Sequence, residues 1–108
     1  MKDLMKLKQD FSDCSQILVA LGDEKRQAII IRLLEDKACK GVRVCDLTEA
    51  TQLSRPAISH HLKILKDAEI VTYKSVGTKN YYYLTHEITA INQLKSMLEN
   101  VTELLGKE

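Results

Sequence analysis

The segment from Leu53 to Leu65, LSRPAISHHLKIL, constrains the fold of this chain more than any other. Ser54 is suited to cap a helix, because its hydroxyl can accept a hydrogen bond from a free N–H group of the first turn. Pro56 follows inside that turn, where its missing N–H costs nothing. Apolar residues then recur at i, i+4 and i+7 and form one core-facing stripe: Ile58, Leu62 and Leu65. The pattern predicts an amphipathic helix that begins after Ser54.

The opposite face of this predicted helix is polar. At 100° per residue, four side chains project away from the apolar stripe: Pro56, Ser59, His60 and Lys63. They include two hydrogen-bonding groups and a cation, and we expect no acid on this face. Such a surface suits the base edges and phosphates of DNA.

A shorter helix is predicted just before this one. The run Asp46-Leu47-Thr48-Glu49 matches a capping box, with Asp46 at the N-cap and Glu49 three residues later. This helix should end near Gln52, and Leu53-Ser54 then forms a tight turn. A short helix, a tight turn and a longer helix with a polar face predict a helix-turn-helix over residues 46–67.

A β-hairpin, or wing, is predicted over residues 70–84. Residues 70–74 and 81–84 are rich in β-branched and aromatic side chains. Between them, Gly77 and Asn80 can adopt the positive φ of a hairpin turn. We expect Lys79 near the tip of the wing, and we expect the Tyr81-Tyr82-Tyr83 run to pack rather than to stack on bases.

Helices are predicted on both sides of these elements. A 3-4-3-4-3 spacing predicts one helix over residues 1–21, with its apolar seam at Leu4, Leu7, Phe11, Cys14, Leu18 and Leu21. Asp23 should cap a central helix that ends near Asp36, and residues 42–44 are expected to form a short strand. Residues 86–105 form the last predicted helix.

The predicted fold is therefore mainly α with a small β-hairpin, a winged helix-turn-helix with additional terminal helices. A chain of 108 residues has room for one such domain, which we place at residues 1–108. The apolar stripes at 1–21 and 86–105 exceed what a small domain buries, so we expect homodimerisation through them. The alternative is that these helices only cover the domain's own core.

The charge of the chain is unevenly distributed. The whole chain carries a formal net charge of +1. Residues 54–80 alone carry five cations and two acids. Contact with phosphate requires such a local excess of positive charge on one surface.

We expect no membrane span, since no stretch approaches 18 uninterrupted apolar residues. The absence of a signal-peptide pattern and the odd number of cysteines predict a cytoplasmic location.

These motifs together resemble the ArsR/SmtB family of bacterial repressors. The similarity runs from about Leu18 to Leu84 and includes four segments: Leu21 to Arg26, Val44 to Leu47, Leu53 to Leu65 and Tyr81 to Leu84. The resemblance implies a winged-helix homodimer that binds double-stranded operator DNA. It also implies an inducer, commonly a metal ion, that releases the DNA.

Neither metal site of that family is complete in this sequence. The family's Cys-x-Cys-Asp-Leu segment has Arg43 in place of its first cysteine, which leaves Cys45 as a single thiolate. In the last helix, His86 and Ile88 stand where the family has aspartate and histidine, and only Glu99 lies near a later ligand position. We therefore expect no metal at these sites, and no cofactor.

Three cysteines are candidates for a redox signal: Cys39, Cys45 and Cys14. Lys37 and Lys40 flank Cys39 and favour a thiolate there, whereas Cys14 lies on the apolar seam and is expected to be buried. Thiol sensing of an oxidant or persulfide is the leading hypothesis for the unknown inducer. A metal-responsive repressor with an atypical site and unreactive cysteines are the alternatives.

The sequence thus predicts a dimeric, sequence-specific DNA-binding repressor that is not an enzyme, since no catalytic constellation is visible. The side chains expected to contact DNA are Ser54, Arg55, Ser59, His60, Lys63 and Lys79. A different class, a winged-helix module that binds a protein partner, is the alternative.

Overall fold

The computed structural model describes residues 2–106 and contains, in that range, six helices and one two-stranded sheet. The elements are α1 (Lys2–Asp13), α2 (Ser15–Leu21), α3 (Glu24–Leu34), α4 (Val44–Thr51), α5 (Arg55–Asp67), β1 (Val71–Val76), β2 (Lys79–Leu84) and α6 (Thr89–Leu105). The predicted class, mainly α with a small hairpin, is confirmed. Within the described range, no helix is both long and apolar enough to cross a membrane.

Helix α3 lies at the centre of the fold, as its apolar sequence predicts. It contacts α2, α4, α5 and β2, and Ile29 is fully buried. Asp23 caps it, because its carboxylate accepts hydrogen bonds from the N–H groups of Lys25 and Arg26 at 2.8 and 3.0 Å. Its apolar surface is not wholly covered, since Ile31 and Leu34 are exposed.

Helix α4 begins at Val44 with Arg43 as its N-cap, three residues before the predicted N-cap. Asp46 is therefore the third residue of the helix and not its N-cap, which corrects the prediction. Its carboxylate accepts a hydrogen bond from the N–H group of Arg43 at 3.0 Å. Of the predicted strand over residues 42–44, only a single bridge exists, in which Val42 and Tyr82 exchange backbone hydrogen bonds of 3.0 and 2.9 Å. The strand cannot continue because the chain turns into α4.

The wing lies where it was predicted, but its strands are longer than predicted, because both extend into the segment expected to be a loop. Val76 pairs with Lys79, which leaves a two-residue turn of Gly77 and Thr78. Gly77 has a φ of 62°, as the first position of a type II′ turn requires. Asn80 does not form the turn but pairs with Ser75 across the strands, and the Ser75 hydroxyl lies 2.6 Å from its Oδ1.

The predicted single helix over residues 1–21 is wrong, since the chain bends at Cys14. The backbone there leaves helical geometry, with φ −96° and ψ 5°. The bend allows α1 to pack along α6 while α2 packs against α5. Asn100 links α6 to α1 by donating a hydrogen bond to the carboxylate of Asp10 at 2.8 Å. Helix α6 begins at Thr89, three residues after the predicted start.

The heptad seam divides into an inner and an outer row. Leu7, Cys14 and Leu21 face the protein core, whereas residues of the other row are exposed at the same seven-residue spacing: Leu4, Phe11 and Leu18. Helix α6 repeats this arrangement with an exposed row of Ile91, Leu98 and Leu105. The radius of gyration, 16.4 Å, exceeds the value of about 13 Å expected for a compact chain of this length.

Candidate nucleic-acid interface

The N-terminal cap of α5 and the burial of its apolar stripe together position this helix. The Ser54 hydroxyl accepts a hydrogen bond from the N–H group of Ala57 at 3.4 Å, which confirms the predicted cap. The apolar stripe is also confirmed, because it lies wholly in the core: Ile58, Leu62 and Leu65. Each such side chain contributes roughly 1.5–3 kcal/mol by its removal from water. The opposite face of α5 is thereby held outward.

That outward face carries the side chains predicted to contact DNA. The structure leaves all five of the predicted residues around α5 exposed: Ser54, Arg55, Ser59, His60 and Lys63. The face also includes an acid, contrary to expectation, since Asp67 lies one turn after Lys63 and the two side chains form an ion pair of 3.0 Å. An exposed pair of this kind stabilises by only about 0–1 kcal/mol, so a phosphate can displace Asp67 at little cost.

The wing carries further exposed cations. Lys79 is exposed at the first residue of β2, immediately after the turn, and Lys74 is exposed on β1. The ammonium of Lys66, in the last turn of α5, lies 4.6 Å from the centre of the Tyr73 ring on β1. Sequence reasoning assigned no role to Lys66, because a contact between a helix and a strand depends on how they pack.

His61 does not share the exposure of its neighbour His60. It is half buried, and its Nδ1 atom lies 3.1 Å from a guanidinium nitrogen of Arg26. Burial lowers the pKa of His61 below its ordinary value; nearby Asp23 opposes this, and Arg26 and His60 reinforce it. Sequence reasoning missed Arg26, since an arginine on a helix is usually a surface residue.

Comparison with known proteins identifies the family. Residues 23–73 match the model of the family described as "Bacterial regulatory protein, arsR family". The arsenical resistance operon repressor of Staphylococcus xylosus is 39% identical over 84 residues, which are 77% of each chain. The chain belongs to the ArsR family of bacterial regulatory proteins. The family resemblance predicted from the sequence motifs is thus confirmed.

Solved structures share the fold seen here. An ArsR-like transcriptional regulator from Rhodococcus sp. RHA1 superposes with a TM-score of 0.73 at 23% identity, and the match covers 88% of this chain and 82% of that one. A homodimeric winged helix-turn-helix domain from Mycobacterium bovis, a possible ArsR-family regulator, gives 0.64 at 21% identity and covers 87% and 83%. The winged helix-turn-helix prediction is confirmed.

The three cysteines of this ArsR-family chain occupy different environments. Cys14 is buried, and burial, with Asp10 and Asp13 nearby, raises the pKa of its thiol. Cys39 and Cys45 are exposed. Cys39 lies in the loop between α3 and α4, at the edge of an open pocket that His86 and Tyr83 also line. Only these two exposed thiols are accessible to reagents in solution.

The positions of the family's metal ligands do not converge within one chain. Arg43, in place of the first cysteine, lies 5.6 Å from the centre of the Tyr81 ring. His86, Ile88 and Glu99 are exposed. Among the described residues, no group of three or more histidine, cysteine or acidic side chains is arranged to hold a metal ion.

Proposed function

We propose that this chain is a sequence-specific, DNA-binding transcriptional repressor with α5 in the major groove of its operator. The observation that carries this proposal is the division of α5 into a fully buried apolar stripe and an exposed polar face. A helix of this kind presents its N-terminal side chains to base edges while the domain holds its other side. The names of the relatives, arsenical resistance operon repressors among them, support a role in repression.

The exposed side chains take two roles in this proposal. Arg55 and Lys63 hold phosphate or guanine, because both are exposed cations on α5. Ser59 and His60 read base edges from the same face, and Ser54 contacts DNA at the start of the helix. Lys79 contacts phosphate from the wing, which lies along the backbone or in the minor groove.

The repressor is proposed to act as a homodimer. The exposed row on α6 repeats every seven residues, a spacing typical of a helix that packs along another helix, and Leu4 and Phe11 form an exposed pair at the same spacing on α1. The homodimeric state stated for the relative from Mycobacterium bovis supports this assembly. A dimer can place two copies of α5 about 34–36 Å apart, one turn of DNA, so that each reads half of an operator.

Thiol chemistry at Cys39 and Cys45 is the proposed releasing signal. Both thiols are exposed, whereas Cys14 is buried and poorly ionised. The loop that holds Cys39 is joined to the wing, because Val42 and Tyr82 exchange two backbone hydrogen bonds. Oxidation of the two thiols to a disulfide, with two electrons passing to an oxidant, would strain this loop and displace the wing. Metal binding at an atypical site is the alternative signal.

Fluorescence anisotropy tests DNA binding directly. The purified protein is titrated into the labelled duplex that precedes its own coding sequence, at several salt concentrations. Affinity should fall with salt with a log–log slope of about 0.9 per phosphate contact, and a duplex of unrelated sequence should bind more weakly. A protein-interaction module, the rival class, would bind neither duplex with a steep salt dependence.

The same assay tests the signal. Binding is measured for the reduced protein, after a persulfide donor or mild oxidant, and with Zn²⁺ or Cd²⁺. Loss of affinity only after thiol modification, abolished in Cys39→Ser or Cys45→Ser, supports the thiol proposal. Loss only with metal would replace it with an atypical metal site. Cys14→Ser is the matched control and should respond as the wild type does.

A further inference from the structure

A buried arginine connects three helices behind the exposed face of α5. Arg26 on α3 is 8% exposed, and its Nε and Nη2 groups donate to the carbonyl oxygens of Ala20 and Val19 at 2.9 and 3.0 Å. Those carbonyls lie in the last turn of α2, where a cation is stabilised by the helix dipole. The remaining nitrogen, Nη1, lies 3.1 Å from Nδ1 of His61 on α5.

The contact between Arg26 and His61 requires a neutral imidazole. A guanidinium carries only hydrogen-bond donors, so Nδ1 of His61 must accept and the ring proton must be on Nε2. Protonation of His61 would turn Nδ1 into a donor and would leave two cations 3.1 Å apart. In this half-buried position they would repel more strongly than they would in water.

The charges around His61 come from two helices. At the N-cap of α3, the carboxylate of Asp23 favours protonation of His61, but it lies 4.0 Å from Arg26 and already accepts two backbone hydrogen bonds. On α5, His60 disfavours protonation. Helix α2 contains no titratable side chain. The acids of α4, Asp46 and Glu49, line a separate groove with Arg32.

We infer that the Arg26–His61 contact is a proton-sensitive clamp that positions α5, and that acidification opens the clamp and weakens operator binding. This inference rests on the proposed DNA-binding function. His61 directly follows His60 and lies two residues after Ser59, so release of its side chain changes how both are held relative to α2 and α3. His61 is a positioning residue and does not itself contact DNA.

The contribution of His60 must be separated from that of His61, because His60 is exposed on the face proposed to contact DNA. His61→Gln is the informative variant, because a glutamine oxygen can accept from Arg26 and does not titrate. His60 is present in both proteins, so its contribution cancels when the wild type is compared with His61→Gln.

The experiment measures affinity for the upstream duplex from pH 7.5 to 5.5 at constant ionic strength. The ratio of the wild-type Kd to that of His61→Gln should rise by at least about threefold as the pH falls through the range of histidine. A ratio that stays constant across this range would overturn the inference.

A second measurement keeps the inference testable if His61→Gln does not fold. Nitrogen NMR of the wild-type imidazole at pH 7.5 should show a neutral ring with its proton on Nε2. A proton on Nδ1, or a charged ring at that pH, would overturn the inference. Failure to bind the duplex at any pH would instead contradict the proposed function, and the NMR titration would still test the clamp.

Discussion

The ammonium of Lys66 lies 4.6 Å from the centre of the Tyr73 ring, so the last turn of α5 is joined to the first strand of the wing. A cation over an aromatic face at a partly exposed site contributes about 0.5–1 kcal/mol. Together with the packing of α5 against β1, this contact fixes the wing relative to the helix proposed to read DNA.

A double-mutant cycle measures this contact. Lys66→Met removes the cation and Tyr73→Leu removes the ring, and both substitutions keep an apolar side chain of similar size. The free energies of unfolding in urea should show a coupling of about 0.5–1 kcal/mol between the two substitutions. A coupling indistinguishable from zero would mean that the helix and the wing are not joined by this pair.

Lys79→Ala should weaken binding to every duplex alike, because Lys79 is proposed to contact phosphate only. The salt slope should fall by about one, and the ratio of operator to unrelated-duplex affinity should stay unchanged. Anisotropy titrations measure both quantities. Lys37→Ala, an exposed lysine in the loop after α3, is the matched control. Lost discrimination between duplexes in Lys79→Ala would assign a base contact to this residue instead.

Leu98→Glu should convert the dimer to a monomer. Leu98 is 52% exposed in the single chain, so the fold tolerates glutamate, whereas a buried helix–helix interface would not. Light scattering measures the molar mass of the protein in solution. The affinity for the operator should fall together with the molar mass. Asn92→Glu adds the same charge at an exposed position next to the row and should remain dimeric. A dimeric Leu98→Glu protein would place the interface elsewhere.

Asp23 predicts an acid dependence of stability. The N–H group of Arg26 donates to its carboxylate and lowers its pKa below the ordinary 3.8. Because Asp23 then binds a proton more readily in the unfolded chain than in the folded one, its stabilisation of the fold is complete above pH 3.8. This stabilisation is lost as the pH falls through the pKa of Asp23 in the folded chain. Urea midpoints between pH 7 and 2.5 should therefore fall less in Asp23→Asn than in the wild type. Parallel profiles would contradict this role.

The parts of the fold that were predictable from the sequence depend on local signals. The start of α5 follows from Ser54 and Pro56, and its buried face from the spacing of Ile58 and Leu62. These features act within one or two turns of the chain, so tertiary packing did not alter them. The ion pair of Lys63 with Asp67 is equally local, and a search at i+4 would have found it.

The parts that were missed depend on contacts between distant segments. The apolar spacing continues through Cys14 without interruption, yet the chain bends there because α1 packs along α6 whereas α2 packs mainly against α5. Arg26 is buried only because carbonyls of α2 and the ring of His61, 35 residues later, surround its guanidinium. No short-range pattern in the sequence carries that information.

The exposed face of α5 is proposed to read DNA sequence. The most direct test of this proposal compares the wild type with a Ser59→Ala/His60→Ala double variant, at one salt concentration, on the upstream duplex and on a scrambled duplex of equal composition. We expect the wild type to prefer the upstream duplex, and we expect the variant to lose most of this preference while it binds scrambled DNA nearly as before. Equal discrimination by the two proteins would contradict the proposal.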